Sequence, residues 1–332
     1  MKVLVLGASG LIGNAIVREL IQQGHEVTGT GRAALRPKNL EGLELDFSPG
    51  NIDAEGQLEQ WVAGQDAVID AAAPYFLNLL SAANEAERRP LNYAGSRTDK
   101  LIRAVRGQGA KLMLISTSLT EPPDESGSLS SLQSRVVRNL YPYFAAKKLM
   151  EERLLDAAEQ GLDVVIVRPT ACIGPWDIKP REQCWIAHLL NGEIPAVLRH
   201  RINVIDSRDL ASAVATLAAG KSNGCTNGRT ITVAGHNSTT DELLAALCRA
   251  GGVRAPQWGI PAALSIVPLL WTELMWAALG TSSPLPSLVP ALLCEQRWLD
   301  PGAVQGQPGR ALRPLAETAE ATVGWYREMG YC

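Results

Sequence analysis

The first apolar run of the chain ends in a glycine-rich turn. Residues 3–6 read VLVL, and GASGLIG follows at 7–13, where it opens the helical pattern IGNAIVRELIQQG. Gly7 would end the strand in a tight turn, Gly10 would let the backbone approach a pyrophosphate, and Gly13 would let the helix pack closely on the sheet. Because the strand and the amphipathic helix that such a motif requires both flank the turn, the sequence predicts a dinucleotide site.

Strand-like and helix-like runs alternate through the first half of the chain. The strand-like runs are HEVTGTGR, GLELDFS, DAVIDAAA, KLMLISTS and GLDVVIVRPT, and helical patterns such as AGSRTDKLIRAVRGQG separate them. Such alternation is typical of an open parallel sheet with helices on both faces. We therefore predict an α/β fold built on a Rossmann doubly wound parallel sheet.

The alternation weakens after about Gly174, where prolines become more frequent and every tryptophan except Trp61 is found. We predict a nucleotide-binding Rossmann domain over residues 1–175, with later strand and helix returns around 202–235, including the strand-like run RTITVAG. Residues 176–332 are expected to form a smaller, mostly C-terminal α/β lobe for substrate, mainly helical and apolar.

The composition argues against several partners and sites. A formal charge of −3 and a pI near 5.9 give no broad positive field, so nucleic acid is not predicted as a partner. The six cysteines contain no CxxC pair, and the four histidines do not cluster with them. Metal sites and disulfides are therefore not predicted, and a reducing cytoplasm is the expected location. Only two residues precede the first apolar run, so a signal peptide is not expected.

One apolar segment, Ile260 to Gly280, contains a single charge, Glu273. Its length approaches that of a bilayer span. Pro261 and Pro268 interrupt it, however, and a carboxylate inside such a segment is costly in lipid. We predict no stable membrane span and expect an apolar lid or pocket wall, with core packing as the alternative.

The end of the second strand distinguishes between two forms of dinucleotide. An acidic residue there accepts hydrogen bonds from a ribose 2′-hydroxyl, whereas an arginine suits a 2′-phosphate. The stretch TGTGRAALR holds no Asp or Glu, and Arg32 follows Gly31 at the turn, with Arg36 nearby. We therefore predict NADP (NADPH) as the cofactor, and the alternative is that Arg32 is only a solvated surface residue.

The stretch YPYFAAKK, residues 141–148, contains two tyrosines and two lysines. Proline is tolerated in the first turn of a helix, so Pro142 places Tyr143 just inside a helix start. Residues four apart share a helix face, which pairs Tyr143 with Lys147. An ammonium beside a phenol favours the phenolate and lets it exchange protons near neutral pH. The pair predicts acid/base catalysis, although the spacing alone is also typical of a solvated helix face.

Three hydroxyls end another predicted parallel strand, in the stretch LISTS. Ser116, Thr117 and Ser118 would lie at the edge of the sheet that faces the ligand crevice. A hydroxyl there can hydrogen-bond the carbonyl oxygen of a substrate as hydride arrives. The residue types leave the choice among the three open, and a plain strand-end turn is the alternative.

Taken together, these motifs resemble the extended short-chain dehydrogenase/reductases, the NAD-dependent epimerase/dehydratase-like family. In the family's order and approximate spacing they are GASGLIG, VIDAAA at 68–73, Asn92 in LNYAGS, STS at 116–118, YFAAK at 143–147 and VRPTACIGP at 167–175. VIDSRDLASAV and the C-terminal WYREMGY extend the resemblance over nearly the whole chain. GRAALRPKNLEGLEL and the apolar second half look most like the dihydroflavonol-reductase-like and 3β-hydroxysteroid-dehydrogenase-like branch.

The resemblance implies reversible, nicotinamide-dependent chemistry at a carbonyl or alcohol carbon. It implies that Ser118 is the catalytic hydroxyl, that Tyr143 is the acid/base and that Lys147 activates it. Asn92 would support the active site, and residues 71–73 would pass beside the cofactor. The cofactor-binding residues that we predict are Gly7, Ser9, Gly10, Leu11, Ile12, Gly13, Arg32, Asn51, Ile52, Ala71, Ala72, Ala73, Asn92, Tyr143, Lys147, Pro169 and Thr170.

Two stretches depart from the family's pattern. Where the family has Gly-Asp-Leu after its third strand, this chain has GNI at 50–52, so an amide replaces the carboxylate that contacts adenine. Where the family has His-x-Ala before its small-residue run, this chain has DAA at 70–72. These departures bear on the orientation of a cofactor and leave the dinucleotide fold intact.

The leading interpretation is an NADPH-dependent reductase of a ketone or aldehyde on an apolar small molecule, with Tyr143 donating the proton and Ser118 holding the oxygen. The alternative is a nucleotide-sugar epimerase or dehydratase with tightly bound NAD. The basic residues that could serve a sugar diphosphate are Lys179, Arg181, Arg199, Arg201 and Arg208. A second alternative is a non-catalytic NADP-sensing protein, although such relatives tend to lose the tyrosine or the lysine. Homodimer formation, common in the family, is also expected.

Overall fold

The structure is a computed structural model. It describes residues 1–72, 89–121, 142–178, 185–220, 228–279, 298–299 and 311–332. Within these ranges a parallel sheet forms the centre, helices cover both of its faces, and a further group of short strands and helices belongs mostly to the second half of the chain.

The central sheet has seven parallel strands. They are β1 (Lys2–Leu6), β2 (Glu26–Gly31), β3 (Asp46–Pro49), β4 (Ala67–Asp70), β5 (Lys111–Ile115), β6 (Val164–Pro169) and β10 (Arg229–Val233). Their order across the sheet is β3-β2-β1-β4-β5-β6-β10. The order reverses between β1 and β4, which is the switch point where doubly wound sheets bind their ligands. The predicted fold class is therefore confirmed.

Helices cover the two faces of the sheet as separate layers. One layer contains α1 (Leu11–Gln22) and α6 (Ser207–Ala219), and the other contains α2 (Gln57–Val62), α3 (Arg89–Arg106) and α4 (Pro142–Glu159). Val3 and Val5 of β1 belong to the first apolar cluster, whereas Leu4 and Leu6 belong to the second. Because alternate residues point to opposite faces, a continuous apolar run is what a strand covered on both sides requires.

Two smaller sheets accompany the remaining helices. The strands are β7 (Ala171–Ile173), β8 (Ala196–Arg199), β9 (Arg201–Asp206), β11 (His236–Thr239) and β12 (Trp258–Pro261). The helices are α5 (Trp185–Leu190), α7 (Thr240–Gly251), α8 (Ala262–Ala278) and α9 (Leu315–Glu328). Strands β11, β9 and β7 form one sheet, and β12 pairs with β8. A third apolar cluster, which includes Leu247 and Val323, joins α5, α7 and α9 to the three-stranded sheet.

Two later elements return to the central sheet. RTITV of β10 pairs in parallel with β6, in a register that sets Arg229 opposite Val165. Helix α6 packs on α1. The run RTITVAG thus forms a strand of the central sheet, while the division into domains at residue 175 stays a prediction.

Strand β3 and helix α2 are shorter than the sequence patterns that predict them. The run GLELDFS begins at Gly42, but β3 begins only at Asp46. The helical pattern DAEGQLEQWVAG begins at Asp53, but α2 begins only at Gln57. Gly56 has a φ of 74°, a left-handed conformation that ends the preceding turn and delays the helix start.

Helix α8 contains most of the apolar segment that begins at Ile260, and Pro268 lies inside it. Its large side chains are mostly exposed, including Leu264 at 63% and Trp271 at 65%, whereas Glu273 is 3% exposed. The helix as a whole is therefore not core packing. Across the ranges that the structure describes, we find no helix with the length and apolar character needed to cross a membrane.

Candidate active site

The glycine-rich turn has no room for side chains at two of its positions. Gly7 has a φ of 79°, which other residues rarely adopt, and a Cβ there would lie 3.0 Å from the Ala71 carbonyl oxygen and from Ala72 Cα. At Gly13 a Cβ would lie 2.2 Å from the Gly7 carbonyl oxygen. At Gly10 the nearest described atom would be 3.5 Å away, so that side of the turn is open. The spacing matches a turn that receives a phosphate.

The start of α1 provides backbone donors for an anion. Its first hydrogen bond runs from the Asn14 amide to the Gly10 carbonyl oxygen at 2.8 Å, so the amides of Leu11, Ile12 and Gly13 precede it. Gly10 is the N-cap residue and supplies no capping side chain. Such amides, together with the helix dipole, favour a phosphate group. The residues present therefore fit the pyrophosphate of a dinucleotide.

A polar contact holds Ser9 of this turn to more distant parts of the chain. Asn39 Nδ2 donates to the carbonyl oxygens of Ser9 and Trp176, each at 2.8 Å. The completely buried Asn14 donates to the Asn39 carbonyl oxygen at 2.9 Å. The guanidinium of Arg18 stacks 4.4 Å from the centre of the Trp176 ring. These contacts fix the turn before any ligand binds.

The two arginines after β2 are in different situations. Arg36 Nε donates to the Leu40 carbonyl oxygen at 2.9 Å, and its Nη2 donates to the Leu43 carbonyl oxygen. Arg36 thus holds the chain that follows β2. Arg32 is exposed and makes no hydrogen bond or ion pair with any residue in the described ranges. Of the two, Arg32 is the arginine available to a 2′-phosphate.

The turn after β3 lies close to Arg32. Tyr93 of α3 donates its hydroxyl to Asp53 Oδ2 at 2.9 Å. Burial, followed by the Asp53 carboxylate, raises the pKa of Tyr93, while the charge of Arg32 acts in the opposite direction. Asn51 Oδ1 accepts the Asp53 amide at 3.1 Å, and Ile52 packs on the second apolar cluster. Asn51 and Ile52 therefore lie in the turn that follows β3, at the carboxyl end of the sheet.

Helix α4 begins at Pro142, as predicted, and Tyr143 is its second residue. Tyr141 lies outside the described residues. Tyr143 and Lys147 are each 4% exposed, so their face of the helix is not solvated. Lys147 Nζ donates to the Ile115 carbonyl oxygen at 3.2 Å. This contact places the lysine at the end of β5, beside the three hydroxyls.

Burial lowers the pKa of Lys147 from its ordinary value of 10.5 to about 8. The charge of Asp70, and to a smaller extent that of Glu151, acts to raise this pKa, and the charge of Arg97 acts to lower it. At neutral pH the side chain still carries its proton. A charged ammonium is what stabilising a neighbouring phenolate requires.

We expect this pKa shift to make stability depend on pH. The unfolded chain keeps Lys147 protonated to about 10.5, whereas the folded chain releases the proton near 8, so unfolding takes up a proton between these values. Over that pH range the free energy of unfolding of the wild type should rise relative to that of Lys147→Met. Denaturant unfolding at several pH values measures the difference. If the difference in free energy of unfolding between the wild type and Lys147→Met stayed constant or fell over that pH range, the lowered pKa of Lys147 would be contradicted.

The three hydroxyls after β5 have different partners. Ser116 Oγ donates to Glu151 Oε1. Thr117 Oγ1 accepts the amide of Leu119 at 3.3 Å and caps the short helical turn that follows. Ser118 is half-buried, and its side chain makes no hydrogen bond within the part of the chain that the structure describes. Ser118 is therefore the hydroxyl that remains available to a ligand.

A buried carboxylate, which the sequence motifs do not reveal, ties this strand end to α4. Glu151 is 3% exposed and lies one turn beyond Lys147. Besides Ser116, Glu151 accepts Thr120 Oγ1 at 2.9 Å and Arg168 at 3.1 Å from Nε and 2.5 Å from Nη2. The available sequence signal is the spacing of four from Lys147, which places Glu151 on the same buried face.

A second buried ion pair lies at the end of β4. Arg97 of α3 donates to both carboxylate oxygens of Asp70, at 2.6 and 2.7 Å, and each side chain is 2% exposed. Burial alone would raise the pKa of Asp70, but the charge and hydrogen bonds of Arg97 hold it below its ordinary value. The sequence signal is a carboxylate in the apolar run AVIDAAA, because a buried charge requires a partner.

The remaining predicted residues lie at three places. Ala71 and Ala72 follow β4 and pass beside Gly7, whereas Ala73 lies outside the described residues. Pro169 ends β6, and the hydroxyl of Thr170 is buried without a hydrogen-bond partner among the described residues. An unpaired buried hydroxyl at a strand end fits a ligand that bonds there. Asn92 of α3 is exposed, and its role at the site stays a prediction.

A sequence model of the NAD dependent epimerase/dehydratase family matches residues 3–234. The chain belongs to this family. The match covers the central sheet except Lys2, together with the glycine-rich turn, the hydroxyls after β5 and the Tyr143–Lys147 pair. The resemblance to the extended short-chain dehydrogenase/reductases is therefore confirmed.

Curated relatives and solved structures are similar to this chain over nearly its full length. A protein named "Putative dihydroflavonol 4-reductase" from Synechocystis sp. is 28% identical over 98% of this chain and 95% of its own length. "Sterol demethylase protein B" from Methylococcus capsulatus is 26% identical over 99% of each chain. The crystal structure of a nucleoside-diphosphate-sugar epimerase from Pseudomonas aeruginosa has a TM-score of 0.74 at 21% identity, over 100% of this chain and 99% of its own.

These similar proteins differ in the reaction that their names state. The relatives by sequence include a reductase, and the structural neighbour is an epimerase. At 21% identity the structural likeness shows the fold alone. Family membership thus supports an enzyme of nicotinamide-dependent oxidoreduction, while the form of the cofactor and the substrate must be argued from the site.

Proposed function

We propose that this protein is an NADPH-dependent reductase of a ketone or aldehyde on an apolar small molecule, able to run in reverse as an alcohol dehydrogenase. The observation that carries the proposal is the buried Tyr143–Lys147 pair beside the strand end where Ser118 keeps a free hydroxyl. One phenol, one ammonium and one hydroxyl are the groups that proton transfer to a carbonyl oxygen needs.

The proposed mechanism assigns one role to each of these groups. Bound NADPH would supply the hydride that reduces the carbonyl carbon. Ser118 hydrogen-bonds the carbonyl oxygen, and Tyr143 donates its proton to that oxygen as negative charge develops on it. Lys147 remains protonated and stabilises the phenolate that Tyr143 becomes. The buried position of the pair keeps bulk water away from the charge, which strengthens these interactions.

The cofactor would be held by residues from several strand ends. The amides of Leu11, Ile12 and Gly13 would bind the pyrophosphate, with Gly7 and Gly10 leaving room for it. The other residues that we assign to it are Ser9, Arg32, Asn51, Ile52, Ala71, Ala72, Ala73, Asn92, Tyr143, Lys147, Pro169 and Thr170. The preference for NADP over NAD rests on Arg32, which is exposed and unpaired among the described residues.

Replacing Arg32 by serine should weaken NADPH binding much more than NADH binding. A charge-assisted hydrogen bond contributes about 1.5 to 3 kcal/mol, which corresponds to roughly a ten- to hundredfold rise in Kd for NADPH. Fluorescence titration with both cofactors measures the change. Arg36→Ser is the matched control: it removes contacts to Leu40 and Leu43 and should leave the ratio of the two Kd values unaltered. If Arg32→Ser and Arg36→Ser raised the Kd for NADPH equally, the assignment of Arg32 to the 2′-phosphate would be refuted.

The apolar character of the substrate is supported by two observations. Two relatives that span nearly the whole chain carry the names "Putative dihydroflavonol 4-reductase" and "Sterol demethylase protein B", which refer to compounds built on several fused or linked carbon rings. The second half also contributes α8, whose exposed side chains are apolar. We expect kcat/KM to rise with the apolar area of the carbonyl compound.

The direct experiment is a rate survey with purified protein. NADPH oxidation is followed with small polar aldehydes, aromatic ketones, flavanones and 3-ketosteroids. We expect turnover of at least one apolar carbonyl compound, at a rate that falls by a factor of about 10² to 10⁴ in the Tyr143→Phe variant. Absence of NADPH oxidation across the whole survey would refute the reductase proposal.

A nucleotide-sugar epimerase or dehydratase with bound NAD remains the alternative, supported by the epimerase among the structural neighbours. Its substrate would need basic groups, and those among the described residues already have partners. Arg208 pairs with Asp206, Arg199 pairs with Asp241, and Arg201 stacks on Trp298. The remaining two candidates, Lys179 and Arg181, lie outside the described residues. Purified protein that carries NAD and alters a nucleotide sugar without added cofactor would favour this alternative.

A non-catalytic NADP-sensing role is the third candidate. Both Tyr143 and Lys147 are retained and buried together, which such a protein does not need. The expected cytoplasmic location and homodimer stay predictions. Analytical ultracentrifugation of the purified chain tests the dimer.

A further inference from the structure

The ion pair between Asp70 and Arg97 is completely buried. Arg97 is among the largest side chains in the described ranges with almost no exposure. Its two terminal nitrogens occupy both Asp70 oxygens, and Asp70 Oδ1 also accepts the amide of Ala72 at 3.1 Å. Burying two charges is costly, and apolar residues of similar volume are often at least as stable. Stability alone therefore does not account for the Asp70–Arg97 pair.

The pair lies between the two halves of the candidate site. Strand β4 is flanked by β1 and β5, in a register that sets Asp70 opposite Leu6 and Leu114. Asp70 therefore ends its strand between the phosphate turn and the strand that leads to the catalytic hydroxyl. Arg97 extends from α3, which packs on α4, the helix of Tyr143 and Lys147. The ion pair thus joins the strand end beside the phosphate turn to α3, the helix that packs on the catalytic helix α4.

Three charged groups act on Lys147 from the elements around it. Asp70 comes from β4, Arg97 from α3, and Glu151 from α4 itself. Glu151 is already bonded to Arg168 and two hydroxyls, and Asp70 is bonded to Arg97. The Lys147 ammonium instead donates to the Ile115 carbonyl oxygen. Asp70 lies opposite Leu114 in the sheet, and the Lys147 ammonium contacts the carbonyl oxygen of the next residue, Ile115. Without Arg97, a buried and unpaired Asp70 carboxylate would therefore lie at the strand ends where this ammonium is bound.

We propose that Asp70 and Arg97 form a positioning pair that holds the Ala71–Ala72 segment against Gly7 and keeps Asp70 from capturing the Lys147 ammonium. This inference rests on the proposed function. The Lys147 ammonium must be available to stabilise the Tyr143 phenolate only if Tyr143 acts as the acid/base. Nothing in the pair touches the reacting atoms. Its effect is exerted through the backbone beside Gly7 and through the charge that Lys147 experiences.

The decisive measurement is the titration of Lys147 by NMR of protein labelled with isotope-enriched lysine, with Lys147→Met providing the assignment. Asp70→Asn removes an anion and should lower the pKa of Lys147, whereas Arg97→Met removes a cation and should raise it, each by about one unit. If the pair had only a structural role, the two substitutions would change the free energy of unfolding without shifting the pKa of Lys147 in opposite directions. Unchanged titration in the two folded variants would overturn the proposal.

Arg97→Met leaves Asp70 unpaired, which destabilises the fold. Two further variants test the same effect without leaving a buried charge unpaired. In the Asp70→Asn background, adding Arg97→Met should raise the pKa of Lys147 relative to Asp70→Asn alone, and this neutral pair is expected to fold. Arg97→Lys keeps the charge but loses the two parallel bonds. It should leave the pKa near that of the wild type while raising the Kd for NADPH several-fold, because Ala72 is held less firmly. Wild-type NADPH binding by Arg97→Lys would refute the positioning of the segment.

Neither readout depends on turnover. The lysine titration and NADPH binding can both be measured in a protein that reduces no carbonyl compound tested. If no carbonyl compound were reduced but the two variants shifted the pKa of Lys147 in opposite directions, the reductase proposal would be refuted. The effect of the pair on the charge of Lys147 would stand. If the protein reduced a carbonyl compound but neither Asp70→Asn nor Arg97→Met shifted the pKa of Lys147, the role of the pair would be refuted. The reductase proposal would stand.

Discussion

Replacing Tyr143 by phenylalanine is expected to lower kcat/KM for carbonyl reduction by a factor of about 10² to 10⁴, the usual contribution of a positioned general acid. Phenylalanine keeps the buried ring, including its edge contact with Phe144 at 5.4 Å between centroids, so the fold should be retained. The variant loses only the hydroxyl that donates the proton. NADPH binding, measured by fluorescence titration, should change little.

The matched control for this variant is Tyr326→Phe. Tyr326 is also buried, at 2% exposure, but it lies on α9 in the third apolar cluster and far along the chain from the catalytic helix. It should retain wild-type turnover. If Tyr143→Phe kept near-wild-type turnover, Tyr143 would not be the proton donor. If both variants lost activity equally, the loss would reflect packing.

Replacing Glu151 by alanine is expected to lower the free energy of unfolding by about 3 kcal/mol, because it breaks a largely buried ion pair and removes the acceptor of Ser116. The loss stays at the lower end for such pairs, since Arg168 keeps an ion pair with Glu121 and Thr120 keeps its bond to the Thr117 carbonyl oxygen. Arg168, Ser116 and Thr120 all donate to this carboxylate. Since these contacts hold α4 to the ends of β5 and β6, activity should also fall. Denaturant unfolding followed by tryptophan fluorescence gives the stability change.

Glu152 provides the adjacent control. Its side chain is 56% exposed and lies 3.9 Å from Lys148 Nζ in an ion pair on the helix surface. Exposed pairs of this kind contribute little, so Glu152→Ala should cost less than about 1 kcal/mol. A Glu151→Ala variant no less stable than Glu152→Ala would show that the buried contacts do not anchor the helix.

The central sheet was predictable because its sequence signals are local. An apolar run that ends in GASGLIG, followed by an amphipathic helix, specifies the first βα unit with little help from distant residues. The same holds for the start of α4, since Pro142 restricts where the helix can begin. The availability of Ser118 was less predictable. It depends on which partners Ser116 and Thr117 find, and one of these, Glu151, lies far along the chain.

The buried ion pairs were not predictable from the motifs. Asp70 and Arg97 are 27 residues apart, and Glu151 and Arg168 are 17 apart. Neither pair has a spacing typical of local structure, so each contact becomes visible only when the sheet brings the elements together. The sequence shows that charges occur inside apolar runs, and such charges need partners when buried. It does not show which residue each of them meets.

The most direct test of the account follows the hydride itself. NADPH that carries deuterium at the transferable position of its nicotinamide ring is incubated with wild-type protein and an apolar ketone that the rate survey identifies as a substrate. The account predicts an alcohol with deuterium on the carbinol carbon, formed at a rate that collapses in Tyr143→Phe. An alcohol without deuterium, or a nucleotide sugar altered with no net loss of added NADPH, would contradict it.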